Sequence, residues 1–173
     1  SHNRPVDILH DGFDCVIRTG ALPEDGVIAR PLGKLTMVNC ASPHYLTRFG
    51  YPQSPDDLTS HAIVRYTPHL GVHPLGFEVA SVNGVQWFKS GGMLTVNSSE
   101  NYLAAGLAGL GIIQIPRIAV REALRAGRLI EVLPGYRAEP LSLSLVYPQR
   151  RELSRRVNLF MQWLAGVMKE HLD

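Results

Sequence analysis

Val96-Asn97-Ser98-Ser99-Glu100-Asn101-Tyr102-Leu103-Ala104-Ala105-Gly106-Leu107-Ala108-Gly109-Leu110-Gly111-Ile112-Ile113-Gln114-Ile115-Pro116 holds a strand end, a capped helix, a tight stop and a buried strand in one passage. Residues 93–96 are apolar and β-favouring. Asn97 is placed to accept the free amide protons of the next turn, with Glu100 three residues on to reach back. Leu103, Leu107 and Leu110 recur at helical spacing, padded by Ala104, Ala105 and Ala108, which allow close packing. Gly109 and Gly111 permit the backbone turn that ends a helix, and residues 111–115 are short and apolar enough for a parallel strand. A strand leading into a helix start is where α/β proteins hold anions and small polar ligands. Gly106, Gly109 and Gly111 are not a dinucleotide loop, because that fingerprint needs a strand before the glycines and a helix after them. Here the order is reversed.

The 173 residues suggest one domain, or two small lobes sharing the chain, with ample apolar material for a core. A hydrophobic content of 45% and a charged fraction of 18% are ordinary for a globular protein. The net charge of +2 makes no electrostatic case for a nucleic-acid or membrane surface. No run approaches the length of a membrane span and the first residues lack the apolar core of a signal peptide, so a cytoplasmic protein without a membrane partner is expected. Cys15 and Cys40 stand isolated in apolar, strand-like surroundings, which fits a reduced compartment better than a disulfide framework.

Outward from the central stretch, helices and strands alternate. A short helix is expected over residues 4–12 and a strand over 13–18, ending in Thr19-Gly20. Two extended segments follow, 27–32 and 35–40, around Gly33-Lys34. Ser42-Pro43 starts a helix with Tyr45, Leu46 and Phe49 on its apolar side and Gly50 at its end. Ser54-Pro55-Asp56-Asp57-Leu58 repeats that start signal, residues 62–67 form a strand, and 68–76 form a loop. Asn83-Gly84 between two β-favouring runs signals a hairpin. Beyond Pro116, a helix to Ala126, strands at 129–133 and 141–147, and a helix over 153–172 complete the chain. The last helix carries Leu153, Val157, Phe160, Leu164 and Met168 on one stripe. The alternation predicts an α/β fold with a mainly parallel sheet.

Several landmarks then match one family in order. Arg4-Pro5-Val6-Asp7, Gly12-Phe13-Asp14-Cys15-Val16-Ile17-Arg18-Thr19-Gly20 and Ala41-Ser42-Pro43-His44-Tyr45-Leu46 resemble the effector-binding domain of LysR-type transcriptional regulators. So do Pro55-Asp56-Asp57-Leu58, residues 103–112, Gly127-Arg128-Leu129 and Tyr147-Pro148, so that the match covers nearly the whole chain. The resemblance implies the type 2 periplasmic-binding-protein fold: two α/β lobes joined by two crossing strands, with a ligand cleft between them. Lobe one would comprise residues 1–38 plus 143–173 and lobe two residues 39–142, with crossings at 37–41 and 141–145 running side by side. The family's helix-turn-helix domain is not in this chain, and neither is the strand–helix–strand with which its effector domain usually begins. The chain is therefore expected not to read operator DNA by itself, and to associate as a homo-oligomer through the sheet edge left open.

Candidate effector-binding residues follow from strand ends and helix starts. Arg18, with Thr19 and Gly20 in the same turn, ends a strand, where an open α/β sheet places ligands; its planar fork suits a carboxylate. A surface ion pair is the plain alternative. Ser42-Pro43 and Asn97-Ser98-Ser99 could donate hydroxyl and amide hydrogen bonds to the same ligand, or could simply cap their helices. Arg65 and Tyr66, with Thr67, end another strand and could line the second-lobe wall.

No cofactor, metal or catalysis is expected. His69 and His73 have a spacing seen in zinc proteins, but Gly71, Pro68 and Pro74 deny them a common helical face and no third ligand is near. Neither a Gly-x-Ser-x-Gly elbow nor His-Glu-x-x-His occurs. The expected function is a non-enzymatic sensor of a small effector, a carboxylate being the class Arg18 suits, that controls DNA binding by a separate domain. The alternative is a solute-binding protein of a transport system with the same fold.

Overall fold

The computed structural model describes residues 12–20, 26–67, 76–91, 94–149, 153–169 and 172. Most of the expected helix over 4–12, and the pair His69 and His73, lie outside them. In chain order the elements are β1 (Val16–Thr19), β2 (Val27–Leu35), β3 (Met37–Ala41), α1 (Pro43–Phe49), a 3-10 turn (Pro55–Ser60), β4 (Val64–Tyr66), β5 (Phe77–Ser81), β6 (Gly84–Phe88), β7 (Leu94–Val96), α2 (Ser99–Leu107), β8 (Ile113–Pro116), α3 (Arg117–Arg125), β9 (Ile130–Glu131), β10 (Leu141–Pro148) and α4 (Arg155–Lys169). The described residues form two compact units, one within 37–139 and one combining those up to Thr36 with those from Pro140.

In the 37–139 unit, β3 is the middle strand of the order β8-β3-β9. Period two sorts its neighbours onto two faces. Val38, Cys40, Ile113 and Ile115 pack with Tyr102, Ala105, Val120 and Ala123 of α2 and α3 in one core cluster. Ile112 joins a second cluster with Tyr45, Leu46, Leu58, Phe77 and Val79. Ile112 and Ile113 are both fully buried, and burial of each such side chain is worth about 1.5–3 kcal/mol. Helices α2 and α3 stop in the same way, at Gly109 (φ 76°) and Gly127 (φ 67°). In α2, Leu110 N–H donates to Ala105 O at 3.1 Å and Gly109 N–H to Gly106 O at 3.1 Å, the paired bonds of a left-handed helix stop.

In the other unit, β10 lies between β1 and β2, antiparallel to both. Leu143, Ser144, Leu145 and Val146 are all buried along this central strand. Leu143 pairs with Gly33 and Ser144 with Pro31, so Leu32 is an extra residue in β2. Pro31 is tolerated because β2 is the edge of the three strands. On α4 and just before it, Leu153, Val157, Leu164 and Met168 of the expected stripe are half-buried, and only Phe160 departs from it, half exposed, its place taken by the buried Met161.

Three expectations are corrected. The sheets are not mainly parallel: among the described strands only β4–β7 pair in parallel, with one further parallel bridge between Ile63 and Ile112. The strand after the central helix, β8, runs antiparallel to β3. A short apolar run has the same composition whichever way it runs, so composition carries no strand direction. Segments 37–41 and 141–145 do not pair with each other: the first pairs with β8 and β9, the second with β1 and β2, where Leu141 lies opposite Leu35, two residues before β3. The hairpin turn is also shifted. Ser81 pairs with Gly84, so Val82 and Asn83 occupy the tip and Gly84 (φ 104°) closes it.

Candidate functional site

The parallel pair β4–β7 sets Arg65 opposite Thr95 and Tyr66 opposite Val96. Thr67 extends the pairing, its N–H donating to Val96 O at 2.9 Å. Both carboxyl ends therefore emerge together, and the β7 end runs through Asn97 and Ser98 directly into α2. The helix cap is Ser98, one residue later than expected, with φ −128° and ψ 133°. Tyr102 N–H donates to Ser98 O at 2.9 Å to begin the helix. The side chain of Ser98 makes no capping hydrogen bond and is 0% exposed. The first-turn amides of a helix have no intrahelical acceptor and attract negative charge.

Tyr66 closes the side of this corner. Its ring is 38% exposed and lies 5.7 Å from that of Tyr102, at 54°. Tyr102 is buried, and its hydroxyl accepts the Gln114 N–H at 2.9 Å. Burial pushes its phenol pKa upward, opposed by that hydrogen bond. Tyr66, Asn97, Ser98 and Ser99 thus come together at one corner.

The other candidates do not join them there. Arg65 alternates to the opposite face of β4 from Tyr66. Its Nη2 donates to Ser90 O at 3.1 Å, and its Nε is buried without a hydrogen-bond partner. Ser42 and Pro43 sit at the other end of α2: a Cβ on Gly109, just past that helix, would lie 3.0 Å from Ser42 Oγ. Nine helical residues separate the two ends, about 13 Å at 1.5 Å per residue. Ser42 is buried and accepts the Tyr45 N–H at 3.2 Å, the capping role its sequence equally allowed. The reason lies in strand direction: β3 runs opposite to β8, so its carboxyl end, unlike those of β4 and β7, reaches the stop of α2. Arg18, Thr19 and Gly20 belong to the other unit, where Arg18 pairs in register with Ser144 and Gly20 N–H donates to Ser142 O at 3.0 Å.

Two functional-looking residues escaped the sequence reading, Asn39 and Gln114. They face each other across β3 and β8 and are hydrogen-bonded, Gln114 Nε2 donating to Asn39 Oδ1 at 3.0 Å. The available signal was a lone amide inside each apolar run, Met-Val-Asn-Cys-Ala and Ile-Ile-Gln-Ile-Pro. Among the described residues no group of three or more His, Cys, Asp or Glu could hold a metal ion, and no helix is long and apolar enough to cross a membrane.

Residues 1–169 match the LysR substrate binding domain family. The chain is 98% identical over 173 residues to the HTH-type transcriptional regulator YhjC of Escherichia coli K12, covering 100% of this chain and 58% of that protein. It is 34% identical to an HTH-type transcriptional repressor of Pseudomonas aeruginosa, over 99% of this chain and 54% of that protein. The chain thus spans little more than half the length of these curated relatives. The regulatory domain of CrgA, a LysR-type transcriptional regulator from Neisseria meningitidis, has the same fold, with a TM-score of 0.80 at 24% identity over 94% of this chain and 78% of that one. By sequence match and by fold, this chain belongs to the LysR substrate binding domain family.

Proposed function

We propose that this chain is the ligand-sensing part of a transcriptional regulator, and that a small effector binds where β4 and β7 end against the first turn of α2. The observation that carries this reading is the corner itself: two parallel strands end together beside a helix start. Such a corner offers backbone donors to an anion and an aromatic wall, Tyr66, to an apolar body. A carboxylated or aromatic acid fits both. In the whole regulator, binding would control a helix-turn-helix domain on DNA in the cytoplasm, with the protein acting as a homo-oligomer. An effector can shift such a protein only through differential affinity for its two states. The relatives are regulators, and they give the transport reading no support. The family is one of regulators rather than enzymes.

The test is a thermal-shift screen of mono- and dicarboxylates and aromatic acids, followed by calorimetry on the first compound that raises the melting temperature. Asn97→Ala and Ser99→Ala should each weaken that compound by about 1 kcal/mol, the scale of one hydrogen bond. Arg18, in the other unit, is proposed as an anion-binding residue in its own right, and Arg18→Ala should weaken a carboxylate held there by about 1.5–3 kcal/mol, as for a charge-assisted bond. Equal affinity in Asn97→Ala, Ser99→Ala and the wild type, with unchanged melts, would remove the corner from the site.

A further inference from the structure

Asn39 and Gln114 use every amide hydrogen they have. Asn39 Nδ2 donates to Leu133 O at 3.2 Å and to Tyr136 O at 2.8 Å. Gln114 Nε2 donates to Asn39 Oδ1 at 3.0 Å and to Glu78 O at 2.8 Å, and its Oε1 accepts the Glu78 N–H at 2.9 Å. Gln114 thus accepts from and donates to one residue of β5, as a neighbouring strand would, and docks the hairpin onto β8 through a side chain. Neither amide could flip without setting donor against donor.

The turn that Asn39 holds is unfavourable by itself. Leu133, with φ 48°, is the only non-glycine at positive φ among the described residues. That backbone region is costly for a branched side chain and persists only where surroundings enforce it. Beyond the turn, Arg137 O accepts the Ala80 N–H at 2.8 Å and Glu139 N–H donates to the Glu78 carboxylate at 3.0 Å. The next residue, Pro140, belongs to the other unit, as does Thr36 just before β3. Asn39 therefore lies close to the point where the chain enters this unit and grips the segment by which it leaves. At its far side the network reaches α2, because Gln114 N–H donates to the Tyr102 hydroxyl, and Tyr102 touches Tyr66.

We propose that Asn39 and Gln114 form an amide clasp that carries a displacement of α2 to the strained Leu133 turn and so to both points where the chain passes between units. Reading α2 as the effector end rests on the function proposed above; the clasp itself does not. Its members are positioning residues, and the two-state element is the Leu133 turn, enforced when gripped and free to relax when released.

Hydrogen exchange followed by mass spectrometry on the full chain, with no ligand, tests this. Asn39→Ala should speed exchange at least tenfold in residues 77–81 and 133–139, leaving α3 and β10 unchanged. Tyr102→Phe removes one hydroxyl that touches neither segment, yet should speed exchange in 133–139 at least threefold. Acceleration in Tyr102→Phe confined to residues 113–116 would overturn transmission through the clasp, and an unchanged 133–139 in Asn39→Ala would overturn the grip. If Asn39→Ala also strips protection from α3, the variant has unfolded and Tyr102→Phe decides alone. Because no effector is present, failure here leaves the ligand corner standing, and failure of the ligand screen leaves the clasp standing.

Discussion

Gly111→Ala should be among the most damaging one-carbon changes in the chain. Gly111 sits where the end of the α2 stop passes β4, with φ 157°. An added Cβ would lie 2.6 Å from Ala62 O, 3.0 Å from Ala62 C and 3.2 Å from Val64 N, against an ordinary contact of 3.4 Å or more. Those atoms are backbone, so no rotamer change relieves the clash. The strand must retreat, which stretches both bonds of the parallel bridge: Ile112 N–H to Ala62 O at 2.9 Å and Val64 N–H to Ile112 O at 3.0 Å. Two weakened hydrogen bonds, at about 0.5 kcal/mol each, and overpacking against the Ala62 backbone, at about 1–3 kcal/mol, give a loss of roughly 2–4 kcal/mol. That corresponds to a fall of about 6–12 °C in melting temperature for a chain of this size. Trp87 lies in the 37–139 unit and Trp163 in the other, so Trp fluorescence in a Trp163→Phe background reports the affected unit alone. Gly106→Ala is the control. Its Cβ would meet Ile113 Cδ1 at 2.6 Å, Cγ1 at 3.1 Å and Cγ2 at 3.3 Å, side-chain rather than backbone atoms, and alanine gains about 1 kcal/mol of helix propensity against that crowding. A Gly111→Ala melt within 2 °C of wild type, or a larger loss in Gly106→Ala, would refute the reasoning.

Tyr45→Phe should cost about 1–3 kcal/mol, measured by urea titration, because it leaves the Ala62 N–H (2.9 Å) and His61 Nδ1 (3.0 Å) without their shared hydroxyl. Burial holds His61 below its ordinary pKa, with Asp57 opposing. The folded state therefore resists its protonation, and its contribution is full above about pH 6.5 and lost as pH falls through the lowered folded value. His61→Gln should flatten the stability profile there; an unchanged slope would exclude His61 as its source. Asp57, held low by the Gln53 and Ser54 amides, acts in a separate window below about pH 4. Burial, with Glu131 adding, pushes the Cys40 thiol up to about 12, while burial and then Asp14 raise Cys15. Iodoacetamide at pH 8 should label Cys15 slowly and Cys40 only after denaturation; peptide mass spectra showing equal labelling of the folded chain would contradict this. Leu159, Phe160 and Trp163 (61% exposed) leave an apolar side on α4, so the chain should self-associate, and a monomer by sedimentation at high micromolar concentration would argue against that.

Much was legible from local chemistry. Helix α1 was readable because Ser42, Pro43 and Gly50 act within one or two turns, and the stop of α2 because Gly109 alone there tolerates a left-handed backbone. The family was readable because its landmarks recur in order along the chain. The capping of α2 was misread by one residue, since Asn97 and Ser98 both suit a cap and only the path of β7 selects between them.

Strand direction and strand pairing were decided by tertiary structure. Residues 111–115 and 37–41 are equally apolar in either orientation, and only the folded chain sets β3 against β8 in antiparallel register. That single fact moves Ser42 to the far end of α2 from Asn97, although both start helices after strands. It also places Asn39 opposite Gln114, so that two amides 75 residues apart satisfy each other inside a core where either alone would be a defect. Sequence determines which residues must find partners; which partners they find depends on long-range packing, because hydrogen-bonding groups carry no record of the segment that will answer them.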